Sequence, residues 1–332
     1  MCAANLAGSF DKAARVLKEV GGISISVKEV QVLSEKGGEV LAQEREEQRQ
    51  AYLKGEPVKA PLNPPELLVI SADGGRVQTR EPDPEKRWKE DKVGVVYRAD
   101  PCPERAGQDY QGPPPIVQTH VATMQDWEAM GDYLSQEAAR RGYAQARQKV
   151  FIGDAAQGIQ SLWQRCFWDA EFIIDWAHAT EHLHACSVAA FADTPKAQEW
   201  YERQEEGLWE GRISRVIGAL QKLSRRMGPP RKNSPENDPR RIVARNIGYF
   251  RDHRAHMDYP RYRRNGWPIG SGVVESSVKR LGLRVKGSEK QWSIPGVEAI
   301  LVLMTAMIAE DNRWETFWRT HSFAKRPAKL AA

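Results

Sequence analysis

The stretch LLVISADGGRVQTR, residues 67–80, carries the reading of the whole chain. Residues 67–72 form a short continuous apolar run, which predicts a buried strand. Asp73, Gly74 and Gly75 follow it, a turn signal that predicts a tight bend. Residues 76–80 alternate polar and apolar, as the antiparallel partner of a hairpin would. An acid held at the end of a buried strand is rigidly placed, and glycines beside it let a backbone or a phosphate come close.

Working outward, residues 92–97 predict a third strand and residues 108–115 a turn-rich loop. Residues 124–141 have helical period. Residues 149–152 form a buried strand ending in Gly153-Asp154, and residues 158–166 a short helix. Residues 171–174 form a strand ending at Asp175, and residues 177–192 a helix. The order is β-β-β-α-β-α-β-α, with acids at three strand ends. A hairpin leading into parallel α/β units is the ribonuclease-H-like order, and open α/β sheets carry their sites at the carboxyl ends of strands.

Before this region, Ser9 and Ser26 are suited to cap two helices about Gly21-Gly22. Such a pair is either a helix-turn-helix DNA module or a plain helical hairpin. Residues 43–54 read as a polar helix or linker, and residues 57–65 as a Pro-rich boundary. After residue 195 the chain is helical and rich in Trp, Glu and Arg. GWPIGSGVVESSVKR, residues 266–280, puts a turn before a helix carrying Glu275 in its first turn, where a carboxylate is electrostatically favoured. An amphipathic helix over residues 295–310 and an aromatic segment over residues 314–318 follow. The Trp side chains at 292, 314 and 318 read as core rather than base-stacking groups.

The chain has 332 residues, 41% hydrophobic and 28% charged, which suits an ordinary folded protein. Its net charge of +5 is unevenly spread: residues 222–264 hold thirteen Lys/Arg against four Asp/Glu. That block implicates an anionic partner. The four cysteines form no CxxC pair, which fits a reduced compartment without a disulfide framework. No signal pattern opens the chain, and the longest apolar run, at residues 297–309, is too short to span a bilayer and includes Glu298.

Asp73, Asp154 and Glu275 are the candidate site. Two divalent cations about 4 Å apart can activate a water and stabilise a leaving oxygen in phosphodiester chemistry. Hard ions such as Mg²⁺ or Mn²⁺ call for oxygen ligands, which carboxylates supply. Three acids alone carry no signal; the frames ADGG, IGDAA and GSGVVES in this element order do. Arg251, Arg254, Arg261, Arg263 and Arg264, interleaved with aromatics, read as phosphate contacts, and Lys279, Arg280 and Arg284 extend that basic face past Glu275. His178, Glu181 and His182 also fit the H-x-x-E-H pattern of an inverted zinc protease.

The segments SADGGRVQTR, KVGVVYR, FIGDAAQGI, IIDWAHATEHL, MDYPRYRRNGWPIGSGVVESSVKR and QWSIPGVEAILVL resemble the ISKra family of insertion-sequence transposases, acidic-triad (DDE) enzymes akin to the Mutator-like group. The resemblance runs from about residue 67 to residue 318. It implies a ribonuclease-H-like mixed sheet with flanking helices, interrupted by an all-helical insertion and preceded by a small helical N-terminal region. With the residue pattern, the expected bounds are 1–60 for that region, 61–193 and 266–320 for the two parts of the core, 194–265 for the basic insertion, and 321–332 for a disordered tail. The catalytic and metal-binding residues carried over are Asp73, Asp154 and Glu275, with two Mg²⁺ or Mn²⁺ ions. Asp175 and His178 match an accessory Asp-x-x-His signature. The implied activity is DNA strand cleavage and strand transfer at insertion-sequence ends. Its partners would be the inverted-repeat ends and target DNA, bound by a homodimer or higher assembly in the nucleoid. Two features depart from the pattern: a short N-terminal region, and LVLMTAMI in the last core helix where an arginine is expected. The alternatives are a truncated or domesticated DNA-binding protein that no longer transposes, and the zinc hydrolase.

Overall fold

The computed structural model describes residues 7–106, 109–110, 112–287 and 289–321. The expected tail beyond residue 321 lies outside them. The fold is mixed α/β: a five-stranded mixed sheet with flanking helices, compatible with a ribonuclease-H-like arrangement. Its strands are β1 (Leu67–Gln78), β2 (Trp88–Ala99), β3 (Val117–Thr123), β4 (Gln148–Gly153) and β5 (Glu171–Ile174), in the order β3-β2-β1-β4-β5. The β1-β2 and β2-β3 pairs are antiparallel, whereas β1, β4 and β5 run parallel.

The predicted hairpin at Asp73-Gly74-Gly75 does not exist. β1 runs straight through it for 12 residues, and Trp88–Ala99 is its antiparallel partner. The third strand is Val117–Thr123, a segment to which the sequence pattern assigned no element. Neither Gly74 nor Gly75 has a positive φ. They are there for room: a Cβ at Gly74 would lie 2.8 Å from Glu90 Oε1, and one at Gly75 would lie 2.4 Å from Asp91 Oδ1. A glycine pair inside a strand thus marks close approach rather than a turn.

Helix α1 (Phe10–Gly21) starts at Ser9, whose hydroxyl accepts from the Lys12 N–H, and ends at Gly22 in the left-handed region. Helix α2 (Val27–Leu53) opens with a capping box between Ser26 and Glu29 and continues through the segment read as a polar helix or linker, which is helical. Helix α3 (Trp127–Arg140) covers β2 and β3, and α4 (Gln157–Cys166) lies against α3 and β4. Helices α5 (Trp176–Phe191), α6 (Pro195–Trp209), α7 (Ile213–Met227) and α8 (Pro239–Asp252) pack on one another in sequence, with α8 returning to α5. The short helix α9 (Tyr259–Arg264) leads to α10 (Gly272–Val285), which packs on β1 and β2. Helix α11 (Ile294–Ile308) contacts β3 and α2, and α12 (Arg313–Thr320) follows it.

Helix α11 is not the amphipathic helix that the sequence predicts; it is buried on almost every side. Its acid, Glu298, is compensated: its carboxylate pairs with Arg45 and accepts from the Thr123 hydroxyl and the Met124 N–H. Helix α2 is docked along α11, with Gly38 against the Ala299 backbone.

Candidate functional site

The parallel ladder aligns three aspartates. Ser71 pairs with Ile152, and Gly153 pairs with Ile174. Two residues beyond the first pair stand Asp73 and Asp154, and one residue beyond the second stand Asp154 and Asp175. All three therefore occupy one level, past the carboxyl ends of β4 and β5, where open sheets carry their chemistry. Asp73 is the exception to the strand-end expectation: it lies within β1, opposite Val93 of β2. It is at an end only relative to β4, which stops sooner.

Asp175 is fully buried and satisfied by two helix starts. It caps α5 by accepting from the His178 N–H at 2.8 Å, and it accepts from the Ser271 N–H just before α10. The positive ends of two helix dipoles thus offset the burial of one carboxylate. A backbone bond from the Trp176 N–H to the Ile269 carbonyl, 2.9 Å, stitches the Pro-Ile-Gly-Ser turn to the same junction. The Ser271 hydroxyl then donates to Glu275 at 2.7 Å, one helical turn on. The chain Asp175–Ser271–Glu275 is how a residue far along the sequence is brought to the sheet.

Asp175, His178 and Glu275 each present a ligand atom, and these atoms lie within 4.8 Å of one another. They form a group able to hold a metal ion. Asp73 and Asp154 do not join that group, but they adjoin it. Burial raises the Asp73 carboxyl above its ordinary range, and the charges of Asp154 and Glu275 raise it further, against the Gly74 N–H and His178. Like charges gathered in a partly buried site are costly without a cation, so the donor set fits one. It differs from the expected triad by including an imidazole, a softer ligand than a carboxylate oxygen. Asp154 accepts from the Ala156 N–H at 2.8 Å at the entry to α4.

The zinc-hydrolase arrangement is not assembled among the described residues. His178 faces Asp175 and Glu275, whereas His182 Nδ1 meets Asn246 Oδ1 at 2.5 Å and its ring stacks on Tyr249. Glu181 is exposed, 3.5 Å from His178.

The expected basic face divides in two. Arg251, Arg254, Arg264, Lys279 and Arg280 are exposed. Arg263 and Arg284 are buried and do not belong to a phosphate-contacting surface. Arg263 donates to the Trp209 carbonyl, pairs with Glu104 and lies 3.7 Å over the Trp209 ring. Arg284 lies over the rings of Phe10 and Trp292 at 4.1 and 5.1 Å, and burial lowers it to about 10, still cationic at neutral pH. Arg261 is half-exposed and paired with Glu171 and Asp258. The periodicity of an Arg-rich stretch cannot separate these cases, because stacking on a buried ring needs the same residue type as gripping a phosphate.

Two residues near the site carried no individual signal in the sequence. Ser271 read only as part of a turn, although a hydroxyl four residues before Glu275 on a nascent helix is a legible pairing. Tyr249 lies on α8 with its hydroxyl buried and without a hydrogen-bond partner. The charges that bear on it are those of Asp154, Asp175 and Glu181.

No helix among the described residues is long and apolar enough to cross a membrane. A scan against protein families and a search of curated proteins find no match. Among solved structures, the Drosophila P element transposase strand transfer complex is 10% identical, with 75% of this chain and 78% of that chain covered and a TM-score of 0.32. That likeness is too low to support an inference.

Proposed function

We propose that this chain is a metal-dependent DNA strand-cleaving and strand-transfer enzyme of the DDE kind, as its resemblance to the ISKra transposases implies. Asp73, Asp154 and Glu275 are its triad, and Asp175 and His178 support them. The observation that carries this reading is the alignment of Asp73, Asp154 and Asp175 at one level of the sheet, with Glu275 and His178 closing over it.

Within this reading, Asp175, His178 and Glu275 hold one divalent cation, and Asp73 and Asp154 offer oxygens for a second. Such ions supply positive charge to phosphodiester oxygens and make a hydroxyl a better nucleophile. Asp175 keeps the α5 and α10 starts together. Ser271 aims the Glu275 carboxylate. The exposed Arg251, Arg254, Arg264, Lys279 and Arg280 track the DNA backbone. Residues 194–265 form the helical insertion between the two parts of the core, and a dimer or higher assembly brings two DNA ends together.

The test is a cleavage assay on duplex DNA bearing the inverted repeats that flank the gene, with Mg²⁺ or Mn²⁺. Glu275→Gln and Asp73→Asn are expected to lose on the order of 10²-fold or more in cutting while keeping DNA binding. Equal cutting by wild type and both variants would refute the triad. Sequence-selective binding without cutting by wild type would favour a DNA-binding protein that no longer transposes.

A further inference from the structure

The Tyr249 hydroxyl is a donor without an acceptor. It is buried, and no group among the described residues accepts from it. A phenol taken out of water without a partner costs free energy unless something else engages it. Its ring is firmly placed. It stacks on His182 with centroids 3.8 Å apart, and it meets Phe250 and His253 edge-on at 5.1 and 5.3 Å. His182 is itself held by Asn246, whose amide donates to the Ile242 carbonyl one turn back in α8. The hydroxyl is thus fixed by α5 and α8 together and cannot turn to solvent to find a partner.

The acids whose charges reach it are Asp154, Asp175 and Glu181. Asp175 already accepts from two backbone N–H groups. Glu181 is exposed and faces His178. Asp154 accepts one hydrogen bond, through Oδ1 from the Ala156 N–H. Of the two aspartates, Asp154 accepts the fewer hydrogen bonds and keeps the more acceptor sites open.

We infer that Tyr249 is a positioning residue of the cation site, its hydroxyl donating to the Asp154 carboxylate and fixing that carboxylate's orientation when a divalent cation is bound. This rests on the proposed cation site. Hydrogen bonds behind metal-ligating groups orient them and commonly account for about 10- to 100-fold in metal affinity. Tyr249 also gives the helical segment a direct part in the site: α8 supplies the donor, and the sheet supplies the acceptor.

Tyr249→Phe removes the hydroxyl and keeps the ring stack. Mn²⁺ binding to the full chain without DNA, followed by calorimetry, is expected to weaken about 10-fold. Melting without divalent cation is expected to be unchanged or raised, because an unpartnered buried hydroxyl is removed. The two results together separate positioning from scaffolding: a merely structural role would lower the metal-free melting temperature. Wild-type Mn²⁺ affinity in the variant, or a weakened affinity that comes with lost metal-free stability, overturns the inference. Absence of Mn²⁺ binding by wild type would instead overturn the cation site, and with it this role of Tyr249.

Discussion

Asp91 shows the physics of this site most directly, because it is buried, lies on the same strand face as Val93 and has an oxygen with no partner. Burial raises its carboxyl above the ordinary range, against Lys286 and its other partners, and the Asp73 charge adds to the rise. Between the unfolded value, about 3.9, and the higher folded value, the native protein binds more protons than the unfolded chain. Stability therefore falls as pH rises through that interval. Asp91→Asn should raise stability at neutral pH by about 1 kcal/mol, and the gain should fade as the pH drops below the unfolded value. Thermal melts over a pH series check this, and a difference independent of pH would count against it. Asp73 should behave similarly, since burial and then like charges raise it. Asp73→Asn should melt higher than wild type without cation and lose the part of the Mn²⁺ stabilisation that the second ion confers.

At the scale of elements, the packing of α2 on α11 depends on an absent side chain. A Cβ at Gly38 would lie 2.1 Å from the Ala299 carbonyl oxygen. Helix propensity alone favours alanine over glycine there by about 1 kcal/mol. Overpacking against backbone costs about 1–3 kcal/mol, and the helix would have to move to relieve it. Gly38→Ala should therefore destabilise despite its better propensity, and Gly38→Leu more so. Denaturant titration reads both; a stabilised Gly38→Ala would show that α2 can slide along α11. The strand that the sequence pattern broke with a turn obeys the same steric rule. Asp73-Gly74-Gly75 is extended in the ladder with β2, and its glycines leave room there for the Glu90 and Asp91 side chains.

Across the whole molecule, the basic residues sort by burial rather than by position along the chain. Neutralising Arg251, Arg254 and Arg264 together should weaken DNA binding and reduce the slope of log affinity against log salt by about 2–3, near one for each phosphate that is no longer neutralised. Arg284→Ala should leave that slope unchanged and cost about 2 kcal/mol of stability, because it removes a cation stacked between the Phe10 and Trp292 rings. Binding isotherms at several salt concentrations, with melts alongside, separate the two. A reduced slope for Arg284→Ala would place that side chain on the DNA after all.

The α/β alternation after residue 124, the apolar strands 67–72, 149–152 and 171–174, the caps at Ser9 and Ser26 and the acids after β4 and β5 were legible in the chain itself. Each rests on neighbours within a few residues, where periodicity and capping chemistry act. The strand at Val117–Thr123, the continuity of β1 through its glycines, the inward turn of Arg263 and Arg284, and the meeting of Asp175, His178 and Glu275 were settled only by tertiary contacts. They depend on groups from distant segments competing for one space or one hydrogen bond, and no local pattern records which of them will meet.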